Sequence, residues 1–341
     1  KEPRKLPPHQ AEVDAIQQDS TKIFHKVHLP NETDILVEVS STTTNRELRY
    51  SIASQLSLSS PEGYGLYMKV THKMVSLDED QYFFDNLRLP TERQFKKGKK
   101  VKEVKEVNPS NVLFLVIFRR KLWFNVIPGK DLVADLTFHF PQEVPRYLRG
   151  YHSCTEEDMF NLGGLLFRVA VDSDRSQFVM IPRMLNELIP ADQIGLMSAE
   201  EWKKNIISSY SRQSGITVQE AKIAFLTEIS SWPTFGSSFF DVKQTCEPYY
   251  PNILWFTISK KGVSLIDPKN KELQVMHPFN RIIEYSSRGN FFQMTIRTLV
   301  KSVIFVCETS QASTIEDLIK SYVRMYEEQK QITRPRKNMF F

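Results

Sequence analysis

The residues of this sequence best able to bind a metal or act as nucleophiles are its seven histidines and three cysteines. Their spacing builds no site. No H-E-x-x-H string occurs, and the nearest approach to a ligand pair is His152-Ser153-Cys154, which offers two ligands where a structural zinc takes four. That triplet reads as a packed loop at the start of a helix. Cys154, Cys246 and Cys307 lie far apart with no C-x-x-C pair, as in a chain kept reduced rather than stapled. Neither of the two glycine loops that cradle phosphates, G-x-x-x-x-G-K-[ST] or G-x-G-x-x-G, is present. Gly163-Gly164 falls inside a helical stretch, where it reads as a place for two helices to approach rather than a nucleotide loop. The residues therefore give no catalytic, metal or cofactor site, and the chemistry left is recognition.

Recognition has three candidate sets. The first is Lys96, Lys97, Lys99, Lys100, Lys102 and Lys105, interleaved with Glu103 and Glu106. It is either a solvated insertion or an electrostatic patch for an anionic lipid or acidic partner, each lysine then adding about 1 kcal/mol that salt removes. Aromatic residues do not alternate with these lysines, so nucleic acid is not expected. The second set is a strand over Ser302 to Cys307 beside a following helix. If that strand lies at an edge it can accept an added peptide strand, with Val303 and Phe305 on one face and Ile304 and Val306 on the other. Lys301, Val303, Phe305, Ile319 and Tyr322 are the residues that would line this groove, unless they are simply core. The third is the ending Met339-Phe340-Phe341. It places an apolar residue at the free carboxylate and another two before it, a spacing that suits a PDZ groove but also fits a frayed end.

The elements that must position these residues fall into three stretches. At 341 residues, 41% apolar and 25% charged, the chain is too long for one ordinary domain and has the composition of a soluble globular protein. A net charge of +5 is too mild to indicate a partner by itself. Lys22 to Arg120 reads strand, strand, helix, strand, late strand: Ile23–Leu29, Ile35–Val39, Asn45–Leu56, Gly65–Thr71 and Val112–Arg120, the order of a ubiquitin-like fold. Gly129 to Trp232 is helical. Its start signals are Thr155 with Asp158, Ser198 with Glu201 and Thr217 with Glu220; Trp202, Ile206 and Tyr210 form one buried stripe, with Gly215 placed to end their helix. From Thr234 the pattern turns to strands, namely 253–258, 262–266, 272–276, 282–285, 291–296 and 302–307. A final helix is expected to start at the capping box Ser313 to Glu316, with the stripe Ile315, Leu318, Ile319, Tyr322, Val323 and Tyr326. These strands closed by a helix suggest a pleckstrin- or phosphotyrosine-binding-like sandwich. The start is polar and proline-rich, and the longest apolar run, Val112–Phe118, fills a strand but cannot span a bilayer; the reading is cytoplasmic. Asn31-Glu32-Thr33 matches a glycosylation sequon, which would be silent there.

The order ubiquitin-like, helical, pleckstrin-like is that of a three-lobed FERM cloverleaf of α+β class. LPPHQAEVDAI from Leu6, IPGKD from Ile127, YLRGYH from Tyr147, WPTFGSSFFDVKQT from Trp232 and GVSLIDP from Gly262 resemble the MyTH4-FERM myosins, class VII especially. The ending from Arg336 resembles the VIIb branch more than VIIa. The resemblance implies a link from a preceding MyTH4 domain over 1–20, a ubiquitin-like lobe over 21–127, a helical acyl-CoA-binding-protein-like lobe over 128–232, a pleckstrin/PTB-like lobe over 233–331 and a tail over 332–341. It implies a non-catalytic cargo-binding tail of an actin-based motor of microvilli or stereocilia, holding a PDZ scaffold similar to harmonin. Ankyrin-repeat/SAM adaptors and adhesion-receptor tails are further expected partners. An Arg-Gly-x-Lys string of the family, which helps fold tail onto motor, corresponds to Lys301-Ser302-Val303-Ile304; the second basic position is lost, with Arg297 and Lys301 as partial substitutes. The rival readings are a phosphoinositide-binding, membrane-docking adaptor and a purely autoinhibitory tail.

Overall fold

The computed structural model describes residues 3–4, 6–18, 20, 22–70, 73–87 and 114–333. The lysine cluster and Met339-Phe340-Phe341 lie outside them. The chain divides into two compact units, 1–121 with 130–141, and 122–129 with 142–341.

In the first unit, β1 (Ile23–His28) and β2 (Asp34–Val39) alternate as half-buried strands should. Val27, Val37 and Val39 point inward, while Phe24 and Leu36 stay exposed. Helix α2 (Asn45–Gln55) begins at a capping box in which Thr44 caps the Glu47 amide and Glu47 reaches back. It lays Leu48 and Ile52, fully buried, on a sheet completed by β3 (Tyr64–Val70), β4 (Lys73–Ser76) and β5 (Phe114–Arg120). The strand order is β2-β1-β5-β3-β4, with β1 and β5 parallel and the other pairs antiparallel. This is the ubiquitin-like arrangement; β4 is the strand that the pattern of residues did not announce. A short helix α3 (Leu132–Ala134), capped by Asp131, widens into a π-helical turn over Asp135–His139. The turn delivers Phe138 into the core, edge-on to Tyr64 at 4.9 Å and to Phe118 at 5.7 Å. Burying a ring of this size contributes roughly 1.5–3 kcal/mol.

The leading segment, expected as a link, carries helix α1 (Gln10–Gln17), which is held to this unit. The Arg4 guanidinium reaches both the buried Glu12 and Asp85, the latter at 2.5 Å from Nη2, and His9 stacks on Phe84 with ring centres 5.8 Å apart. Burial alone would lift the Glu12 carboxyl, but hydrogen bonds from Arg4, Ser41 and His9 hold it below the usual range.

The second unit takes in α4 (Phe140–Leu148) from Gln142 onward, α5 (Glu156–Val171), a 3₁₀ turn (Arg175–Met180), α6 (Ile181–Leu188), α7 (Ala199–Arg212) and α8 (Val218–Ser230). All three expected capping boxes form, at Thr155, Ser198 and Thr217, each worth about 1 kcal/mol. Trp202, Ile206 and Tyr210 are essentially without exposure. Helix α7 stops at Arg212, ahead of Gly215, which shapes the following turn at φ +90°. A Cβ on Gly164 would lie 2.9 Å from Ser209 Oγ and 3.0 Å from the Tyr210 nitrogen. The glycine therefore sets how closely α5 and α7 approach.

The rest of this unit is a seven-stranded sheet, all antiparallel, in the order β10-β11-β12-β6-β7-β8-β9. Its strands are β6 (Ser238–Gln244), β7 (Ile253–Ser259), β8 (Gly262–Ile266), β9 (Leu273–His277), β10 (Ile282–Arg288), β11 (Phe291–Arg297) and β12 (Ser302–Glu308). Helix α9 (Ala312–Thr333) closes it, burying Ile315, Ile319 and Tyr322 against Phe256, Phe292 and Phe305. This helix starts at Ala312, so Ser313 lies within its first turn and does not cap it. Glu316, expected to reach back to Ser313, instead accepts the Ser287 N–H at 2.8 Å and the Ser287 hydroxyl.

Candidate interaction surfaces

The strand expected to carry the peptide groove, Ser302 to Cys307, is not at either end of the strand order. Strand β12 lies between two others: it pairs along its length with β11 and, through Cys307 and Glu308 alone, with β6. Phe305, Ile319 and Tyr322 are 2%, 0% and 1% exposed and belong to the core, Val303 is half-buried, and Lys301 is exposed beyond the strand. The sheet edges are β10 and β9. Of the two, β10 runs beside α9, joined to it by Ser287 and Glu316. Phe279, just before β10, stacks on Tyr322 at 5.4 Å and lies 5.9 Å from Tyr326. A strand added at β10 would thus meet the exposed Ile283 and find the Ser287 N–H already occupied. The sequence signal for this edge was the polar run Ser286-Ser287-Arg288, since edge strands carry more charge and polarity than central ones. On the outward face of the same strands Ser286, Arg288, Phe291, Gln293, Val306 and Glu308 line an open concavity of about 720 Å³.

A second constellation joins the helical and strand parts of this unit. Glu143 and His152 are both fully buried, with His152 Nε2 3.2 Å from Glu143 Oε2. Glu143 also takes a charged hydrogen bond from Arg146, whose guanidinium lies 4.9 Å from the centre of the Trp123 ring. Burial pushes the Glu143 carboxyl upward, but Arg146 and His152 outweigh it and hold the group below the ordinary range. His152 Nδ1 lies 2.7 Å from Thr234 Oγ1, and Tyr151 stacks on Phe239 at 4.4 Å. Lys271, at positive φ, bonds Asp192 at 2.7 Å and the His152 carbonyl at 3.3 Å. Two family-like strings, from Tyr147 and from Trp232, therefore meet in space. His152-Ser153-Cys154 is the packed loop before α5, and burial lifts its Cys154 thiol to about 11, away from nucleophilic chemistry. Among the described residues no group of three His, Cys, Asp or Glu side chains is placed to hold a metal.

The two candidate motor-contact cations frame a hairpin. Arg297 ends β11 opposite Ser302, Lys301 precedes β12 one residue nearer the turn, and both are exposed.

Comparison with known proteins adds the family. Residues 21–122 match an RA-like domain, 130–240 the FERM central domain, and 240–326 a PTB domain of the IRS-1 type. Over 94% of its length the chain is 45% identical to myosin-VIIa of Drosophila melanogaster and 44% identical to unconventional myosin-VIIb of Mus musculus, spanning 15% of each. A solved structure of the human myosin 7b C-terminal MyTH4-FERM domain, in complex with the harmonin-a PDZ3 domain, superposes with a TM-score of 0.85 at 42% identity. It covers 95% of this chain and 64% of that one. The Dictyostelium discoideum myosin VII MyTH4-FERM MF2 domain shares the fold at 19% identity, with a TM-score of 0.67 and coverage of 94% and 62%. Lobes of these three kinds in this order define a FERM domain. The chain is a FERM-domain fragment of the kind carried in the C-terminal region of class VII unconventional myosins. The identities of 45% and 44% do not separate the VIIa and VIIb branches.

Proposed function

We propose that this chain is the cargo-binding and regulatory module of an actin-based motor, docking a PDZ scaffold through its folded lobes. The observation that carries the proposal is the 42% identity and TM-score of 0.85 to a myosin 7b MyTH4-FERM domain solved with a harmonin PDZ domain. The module links cargo to the motor and performs no catalysis itself. Adhesion-receptor tails and ankyrin-repeat/SAM adaptors are the further partners proposed, and apical protrusions the proposed place. The edge of β10 beside α9 suits a linear peptide, which gains main-chain hydrogen bonds from the strand and pockets from the helix. Arg297 and Lys301 are proposed to meet the motor when the tail folds back.

The test is the affinity of a harmonin-type PDZ domain for the full chain and for one stopped at Thr333, without Met339-Phe340-Phe341. Docking through the lobes predicts a loss below tenfold, or about 1.4 kcal/mol, with any loss reflecting a tether. Complete loss, with the isolated tail peptide binding as tightly as the whole chain, would refute it.

A further inference from the structure

The β11–β12 hairpin ends in Leu299-Val300, which are 98% and 94% exposed. Turns of this kind usually carry glycine, asparagine, aspartate or serine, which adopt the geometry readily and are at ease in water. Here Thr298 supplies the closure. Its N–H and its hydroxyl both donate to the Lys301 carbonyl oxygen, at 2.9 and 2.5 Å, and its Oγ1 accepts the Lys301 N–H at 3.1 Å. The clamp leaves the side chains of the two tip residues out of the closure, yet both are aliphatic.

Directly behind them stand cations. Arg297 and Lys301 flank the tip, and the pairing of Ile282 with Ile296 brings exposed Arg281 to the same end of the sheet. Among the described residues none of these three forms an ion pair with a carboxylate. The first acidic residue along these strands is Glu284, opposite Thr295 and further from the tip. The polarity thus changes along the strand axis, apolar first and basic immediately after. A protein-docking patch would instead spread its apolar groups across a face with a polar rim. A bilayer boundary changes in the same direction as this hairpin, from acyl chain to phosphate, and basic residues with apolar neighbours suit it.

We propose that the hairpin is a membrane wedge. Leu299 and Val300 enter the interfacial layer of an anionic bilayer, and Arg297, Lys301 and Arg281 take headgroup phosphates. This goes beyond scaffold docking and does not depend on it. Lipid would compete with the motor for Arg297 and Lys301.

The experiment uses the full chain with vesicles of phosphatidylcholine, alone or with about one-third phosphatidylserine. The wild type is expected to sediment with the anionic vesicles and weakly with the neutral ones. L299S/V300S is expected to weaken anionic binding about tenfold, or about 1.4 kcal/mol, and R297Q/K301Q to flatten its salt dependence. A Val300→Trp variant should shift its emission to the blue on vesicles and be quenched by brominated acyl chains. PDZ-scaffold affinity should be the same in L299S/V300S and wild type, so the wedge and the scaffold reading fail separately. Three results overturn the proposal: vesicle binding indifferent to L299S/V300S, Val300→Trp emission unmoved by vesicles, or loss of scaffold binding in L299S/V300S with vesicle binding intact, which would make the tip a protein contact.

Discussion

The Glu143–His152 junction and the β11–β12 tip, both in the second unit, break the usual distribution of side chains in opposite senses. At the junction a carboxylate, a guanidinium and an imidazole are withdrawn from water. At the tip two aliphatic side chains are given to it. The difference lies in completeness. The buried set is closed to water, each member lying against another within the fold, so it fixes how helices and strands meet. The exposed pair is open and has no complement among the described residues. Buried charge here specifies a geometry, while exposed apolar surface asks for a ligand.

The largest expected effect breaks the closed set. Glu143→Ala leaves Arg146 and His152 facing a void and should destabilise the chain by about 3–5 kcal/mol, read as a fall in the denaturant midpoint. Glu143→Leu combined with Arg146→Met and His152→Phe removes every member of the set and should recover much of that loss, because buried ions replaced together by apolar groups come close to neutral. If the triple variant is as unstable as Glu143→Ala, the junction depends on its charges and not on its closure. Next in size is Gly164→Val, which forces α5 away from Ser209 and should cost about 1–3 kcal/mol by thermal unfolding, while Gly195→Ala, with nothing within 4 Å of its added Cβ, should cost far less.

A smaller effect concerns pH. Burial, reinforced by Asp158 and Glu157, lifts the Glu228 carboxyl from 4.5 to about 7. The folded chain then holds a proton that the unfolded chain has already released. This contribution to stability is fully present below about pH 4.5 and is lost as pH rises through about 7. Glu228→Gln should remove that decline, measured as denaturant midpoints at about pH 5 and about pH 8; an unchanged slope would show that the group does not carry it. Smallest of all, L299S/V300S should change stability by no more than about 0.5 kcal/mol, because both tip side chains stand almost wholly in solvent. A larger loss would turn the open member of the comparison into a structural one.

Much of this architecture was legible in the residues because local chemistry dictated it. Thr155, Ser198 and Thr217 announced three helix starts, Trp202, Ile206 and Tyr210 marked a buried face, and Gly163-Gly164 marked a close helix approach. Ser313 misled: its spacing to Glu316 is that of a capping box, yet Glu316 turns to Ser287 on β10, a partner 29 residues away in sequence. The groove was misplaced for the same reason. Alternation told which face of β12 was apolar, but whether a strand is central or at an edge depends on pairing between segments distant in sequence. The tip escaped notice because the gap between the expected strands 291–296 and 302–307 announces a connection, but not that both of its central side chains, Leu299 and Val300, stand in solvent.

The Arg4 fork changes how the first unit bears a load. A pull on the chain from its N-terminal side does not arrive at β1, where it would peel the sheet one hydrogen-bonded pair at a time. It reaches Arg4 first, whose bonds to Glu12 and Asp85 must fail together, with a buried carboxylate exposed to water as they do. Residues 4 to 12 thus act as a strain relief, like the grip that holds a cable where it enters its housing.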